Sequence, residues 1–124
     1  MRYVMFVCGD PDHSPADAAA APAVEDWFNY ANERNQYVQG VRLEDVDQAR
    51  TVRVRDGELL VTDGPYAEAK EWIAGFGILE CATFEEAIEL ARRNPMAWEG
   101  RIELRPIHSM GGPGDEWAKR QLRR

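Results

Sequence analysis

The sequence predicts an α+β fold in the order β-α-β-β-α-β with an extra hairpin, and three observations carry that prediction. Two runs, Tyr3–Cys8 and Trp72–Cys81, are β-prone and apolar at both parities, as strands covered on both faces are. Between them lies a pair of alternating segments joined by Asp56-Gly57, a strong short-range hairpin signal. Each apolar run is followed by a stretch with helical periodicity.

The first strand ends at Gly9-Asp10, and Asp10-Pro11-Asp12-His13-Ser14-Pro15 reads as a turn-rich loop. An Ala-rich stretch leads to Pro22, which suits a first helical turn. From there Val24, Trp27, Phe28, Ala31, Asn35 and Val38 form one stripe, so the helix is expected to run on until Gly40. Val41–Leu43 reads as a short strand. In the hairpin, a two-residue loop pairs Arg55 with Glu58, Val54 with Leu59 and Val52 with Val61. One face then carries Val52, Val54, Leu59 and Val61. Thr83-Phe84-Glu85-Glu86 is a capping box that opens a helix with the stripe Phe84, Ala87, Ile88 and Ala91, stopped at Asn94-Pro95. Residues 101–107 alternate Ile102, Leu104 and Ile107 with Arg101, Glu103 and Arg105.

This order is ferredoxin-like. Two helices cover one face of such a sheet, while the two central strands are apolar on both. A second copy of the chain is the simplest cover, so a homodimer is expected. Residues 1–108 are read as the single domain and 109–124 as a flexible tail. The tail opens with Met110-Gly111-Gly112-Pro113-Gly114 and ends in a basic segment containing Trp117, expected to fray or to fold back on the acidic body.

A chain of 124 residues with 44% apolar residues can build one core. Its formal charge of −7 argues against nucleic acid and against anionic membranes as partners. The Tyr3–Cys8 run is too short for a signal-peptide core or a membrane span. Two cysteines without close spacing argue against a disulfide scaffold and a zinc knuckle, and a cytoplasmic location is expected. Cys8 and Cys81 fall on strands expected to be neighbours, where free core thiols are the commoner case and a redox pair the alternative. No Gly-rich phosphate loop, nucleophile elbow or strong metal-ligand spacing is found, so no cofactor and no metal are expected.

The residues with most chemistry are Thr62-Asp63-Gly64-Pro65-Tyr66-Ala67-Glu68-Ala69-Lys70-Glu71. Gly64 and Pro65 fix a turn where the hairpin ends, and Asp63 is expected to accept hydrogen bonds from amides just downstream. In a functional reading Asp63 is the general acid or base, provided that burial raises its pKa. Tyr66 then donates a hydrogen bond, Lys70 holds an anionic group, and Glu68 and Glu71 orient Lys70 or share proton transfer. In a structural reading Asp63 caps its own turn, Tyr66 is a core aromatic, and Glu68, Lys70 and Glu71 form a solvated cluster. His13, beside Asp10 and Asp12, is a further ligand-binding candidate: a His–carboxylate pair, a cation ligand or part of a solvated loop.

The segment resembles the signature of the DGPF proteins, a branch of the YCII-related family, usually written Asp-Gly-Pro-Phe-Ala-Glu-Thr-Lys-Glu. Here Tyr66 stands for Phe and Ala69 for Thr. The resemblance implies a ferredoxin-like subunit in a dimeric α/β-barrel. The wider group of such barrels includes isomerases, dehydrochlorinases and small monooxygenases. The narrower YCII proteins carry a His–Asp pair thought to be catalytic, with the His near the first helix. No histidine lies between residues 14 and 107 here, so that pair does not transfer. DGPF proteins are often encoded beside extracytoplasmic-function sigma factors. Three readings therefore stand open: a small-molecule enzyme, a ligand-sensing or regulatory partner linked to such a sigma factor, and a purely architectural dimer.

Overall fold

The computed structural model describes residues 1–64, 72–109 and 120. Six strands are present among them: β1 (Arg2–Gly9), β2 (Tyr37–Arg42), β3 (Arg50–Arg55), β4 (Glu58–Asp63), β5 (Trp72–Glu80) and β6 (Arg101–Pro106). The helices are α1 (Pro15–Ala19), α2 (Val24–Glu33), α3 (Phe84–Arg92) and α4 (Met96–Glu99), with one 3-10 turn at Val46–Gln48. The main sheet has the order β2-β5-β1-β6, and every pairing in it is antiparallel. The β3–β4 hairpin forms a separate two-stranded sheet.

The β1–β5 register decides which residues meet. Tyr3 lies opposite Leu79, Met5 opposite Gly77 and Val7 opposite Gly75. Period-2 alternation puts these on one face, and the core forms there: Tyr3, Met5 and Leu79 pack with Trp27 and Ala31 of α2 and Ala87 and Leu90 of α3. Ile102 and Leu104 of β6 close the edge of that core. The Trp27 indole N–H donates to the Leu90 carbonyl at 2.8 Å, which ties α2 to α3 and satisfies a buried donor. The opposite face carries Val4, Phe6, Phe76 and Ile78, all only half-buried.

Helix ends differ from the sequence expectation for a local reason. α2 stops at Glu33 because Asn35 takes a left-handed conformation (φ 54°), and the Gln36 amide closes back on the Ala31 carbonyl at 2.9 Å. Gly40 consequently sits inside β2, and Val38 has left the helix. The core face of α2 is Trp27 and Ala31, while Val24 and Phe28 are at the margin. In α3 the buried residues are Ala87, Leu90 and Ala91, and Ile88 is 53% exposed. The capping box forms, with the Glu86 amide donating to Thr83 Oγ1, though Glu86 Oε2 reaches the Ala82 amide rather than that of Thr83. Ser14 caps an additional short helix, α1, inside the stretch read as loop and Ala-rich linker.

The hairpin has the predicted register, Arg55 opposite Glu58 through Val52 opposite Val61. Asp56 and Gly57 both have positive φ, as a two-residue turn of this kind requires. Its apolar face is not covered by the rest of the chain as described: Val52 is 63% exposed, Val54 58%, Leu59 66% and Val61 54%.

Replacing Leu79, which is fully buried, by Ala is expected to cost about 2–5 kcal/mol in denaturant unfolding. Acid stability supplies a second check. On α3, Glu89 accepts hydrogen bonds from Arg92 and Arg93, and these guanidiniums hold its carboxyl at a pKa of about 2. A folded-state pKa below the unfolded one stabilises the fold above the usual glutamate range and is lost as pH falls toward 2. Glu89→Gln is expected to lower stability modestly at neutral pH, and the gap to wild type is expected to close as pH falls toward 2.

Candidate functional site

Antiparallel pairing gathers four strand ends at one end of the sheet. Gly9 at the end of β1 lies opposite Trp72 at the start of β5, Cys8 opposite Arg101 at the start of β6, and Arg42 at the end of β2 opposite Gly75. The Asp10–Ser14 loop leaves from this end, and the segment that follows Gly64 returns to it at Trp72. The two regions singled out in the sequence therefore share one end of the fold. A Cβ on Gly9 would overlap the Trp72 indole, so the ring lies directly against the β1 backbone.

Asp63 is the last residue of β4. Arg50 Nε donates to its Oδ1 at 3.1 Å, and the carboxylate is 90% exposed. Gly64 is pinned from both sides: its amide donates to the Ala49 carbonyl and its carbonyl accepts from Thr51 Oγ1, each at 2.8 Å. With φ at 89°, this position favours glycine. The turn is thus fastened to the start of β3. Pro65, Tyr66, Glu68, Lys70 and Glu71 lie outside the described residues.

His13 is tied to main chain, its Nδ1 standing 2.9 Å from the Asp10 carbonyl oxygen. Asp10 Oδ1 is taken by the Asp12 amide, an Asx turn that holds the loop. A cavity of about 480 Å³ beside it is lined by His13, Asp12, Asp17, Arg92 and Trp98. Among the described residues no group of three His, Cys, Asp or Glu is arranged to hold a metal ion. Cys8 and Cys81 sit at opposite ends of their paired strands, since Cys8 faces Ile73 while the Cys81 amide donates to the Met1 carbonyl. Burial pushes both thiols up, so no redox pair forms here.

A second cavity, about 300 Å³, lies between α2 and the helix-facing side of the sheet and is lined by residues that sequence reasoning passed over. Met5, Val7, Gly40 and Gly77 contribute from the strands, Trp27 and Phe28 from α2, with Tyr37, Arg42 and Asn94 around them. Trp27, Phe28 and Tyr37 stack edge to face, with centroids 5.0 to 5.7 Å apart, and make one stiff aromatic wall. A Cβ on Gly40 would stand 2.6 Å from the Tyr37 hydroxyl oxygen, so the ring uses the space that glycine leaves. Asn94 is 5% exposed and accepts the Met96 amide on Oδ1 at 2.9 Å, leaving Nδ2 as the group it offers. The sequence signal was Gly75-Phe76-Gly77: glycines two apart in an apolar strand clear one face of side chains.

The fold thus defines a one-sided antiparallel α+β domain with an outlying hairpin and a cavity under its first long helix. A family model described as YCII-related domain matches residues 1–111, and the chain belongs to that family. It is also similar to an uncharacterised protein of Rhizobium meliloti (strain 1021), 40% identical over 76 residues. That match covers 60% of this chain and 60% of the relative. No described helix is long and apolar enough to cross a membrane.

Gly9→Ala is expected to drive Trp72 off the β1 backbone and to destabilise the fold by about 1–3 kcal/mol, the usual range for overpacking. Denaturant melts of the variant, read by tryptophan fluorescence, check both effects.

Proposed function

We propose that this chain is a small-molecule-binding protein that works as a homodimer of ferredoxin-like subunits, with its ligand cavity under α2 and the Asp63–Glu71 motif and the Asp10–Ser14 loop as a second candidate region at one end of the sheet. The observation that carries the reading is the cavity under α2. It is concave, walled by aromatic side chains and edged by a few polar groups, the usual make-up of a small-molecule site. The strand order β2-β5-β1-β6 with antiparallel pairing throughout is the order of a ferredoxin-like sheet and supports that part of the reading.

The assembly part rests on the hairpin. An isolated two-stranded hairpin is marginal in water, and this one exposes Val52, Val54, Leu59 and Val61 on one face. A second copy that covers this face and the half-buried Val4, Phe6, Phe76 and Ile78 removes both exposures at once. Asp63 and Gly64 end the same hairpin, so covering it would also desolvate Asp63, the condition for an acid/base role.

Sedimentation velocity over a dilution series tests the assembly: the wild-type chain is expected to sediment as a dimer, and Val54→Asp with Leu59→Asp as a folded monomer. A monomeric wild type at all concentrations sinks the dimer. Thermal melts against metabolites, organic anions and divalent metals test the binding. A ligand at a hundred times its dissociation constant is expected to stabilise the native chain by about 2.7 kcal/mol. A stabilisation kept by wild type and lost in Asp63→Asn assigns Asp63 to the site, and an equal response from both removes it from the site.

A further inference from the structure

The cavity under α2 has a chemistry specific enough to name its ligand class, an inference that rests on the small-molecule reading above. By register Gly40, Gly75 and Gly77 point to the helix-facing side of the sheet, as does Arg42. The three glycines are not there for one reason. A Cβ at Gly75 would meet the Val41 carbonyl oxygen at 2.5 Å, and one at Gly40 would meet Tyr37, so each makes room for a neighbour. Gly77 is different. A Cβ there would meet Met5 Cε at 3.4 Å and the Gln39 carbonyl at 3.5 Å, ordinary contact distances. Glycine in a strand interior costs about 0.5–1 kcal/mol relative to alanine. Lacking a side chain, Gly77 gives the cavity a flat patch of floor beside Met5.

Above that floor stand the edges and faces of Trp27, Phe28 and Tyr37, fixed against each other and, for Trp27, by the hydrogen bond to Leu90. Flat floor and aromatic wall together suit a planar ring. Two polar groups at the margin are uncommitted among the described residues. The Tyr37 hydroxyl makes no hydrogen bond to them, and Arg42 makes no ion pair, whereas Arg2, Arg34, Arg50, Arg92 and Arg93 are each matched to a carboxylate. Glu44 and Asp45 follow Arg42 in the chain, but they line a separate cavity that shares only Arg42 with this one, and neither pairs with it. An unpaired guanidinium beside an aromatic wall, in a chain of net charge −7, selects an anion among planar ligands. The volume, about 300 Å³, is at the small end for ligand sites and suits a single-ring molecule.

We propose that this cavity binds a small aromatic carboxylic acid, its ring laid at Gly77 against Trp27, Phe28 and Tyr37 and its carboxylate held by Arg42 with the Tyr37 hydroxyl as second donor. Arg42 is the specificity-determining residue, because it is what separates an acid from its neutral analogue. No bond is made or broken in this step.

The test is calorimetric titration of the full chain with 4-hydroxybenzoate, 4-hydroxybenzamide and hexanoate, repeated on Arg42→Gln, Arg42→Lys and Gly77→Val. The benzoate is expected to bind at least tenfold more tightly than the amide or the aliphatic acid. Arg42→Gln is expected to erase the preference for acid over amide, and Arg42→Lys to keep part of it. Gly77→Val, which fills the floor, is expected to abolish binding of both aromatic probes while the chain melts as the wild type does. Equal binding of benzoate and benzamide, indifferent to Arg42→Gln but lost in Gly77→Val, overturns the ligand class and leaves the cavity as a binding site. Equal binding of hexanoate and benzoate overturns the aromatic requirement alone. If none of the three probes binds to wild type, or if Gly77→Val binds them as wild type does, the class and the cavity fall together.

Discussion

The pairing of β1 with β5 is the constraint from which the remaining features follow. Tyr3 opposite Leu79 and Met5 opposite Gly77 bring large side chains and glycines to the same face, on which α2 and α3 lie. A slip of one residue in β1 would turn Tyr3 and Met5 away from the helix-covered face and bring Val4 and Phe6 onto it beside Leu79. The neighbouring β2–β5 register sets Gly40 beside Gly77 under the Trp27–Tyr37 wall, where the cavity lies. The β1–β5 pairing also fixes the sheet end, since it sets Gly9 opposite Trp72.

The same arrangement creates a surplus. Among the described residues the long helices α2 and α3 cover one face, and apolar side chains remain on the other and on the hairpin. Each side chain of valine or leucine size left in water forgoes about 1.5–3 kcal/mol of burial. Four on one hairpin face, with a second set on the sheet, is more than scattered surface residues explain. A net charge of −7 favours keeping such a chain dispersed.

How far the sequence could be read depends on the range of the interaction involved. The hairpin register was legible because a two-residue turn and cross-strand charge pairing are local, and the Thr83 cap because it lies within four residues of what it binds. The end of α2 was not, because the apolar stripe continues by coincidence through Asn35 and Val38 while a single left-handed residue breaks the helix. Helix faces shifted for a similar reason: Leu90 is buried and Ile88 exposed because Trp27 docks on the Leu90 turn, a contact between residues 63 apart in the chain. The cavity was the least legible feature. It is made of absent side chains on one strand and present rings on another element, and only the long-range pairing brings them together. Of the candidate site, sequence alone found the turn at Asp63-Gly64, while its fastening through Gly64 to Ala49 and Thr51 was not legible because those partners lie more than ten residues away.

That fastening bears on how assembly and chemistry could be joined. Because Gly64 is bonded to both Ala49 and Thr51, the start of the motif moves with the base of the hairpin rather than with the main sheet. The far end of the motif is different, as it enters β5 at Trp72, which is packed on Gly9 of the central strand. The hairpin and the main sheet are separate sheets, so these two anchors belong to different ones. Asp63, exposed and paired with Arg50 among the described residues, ends the hairpin side of that connection.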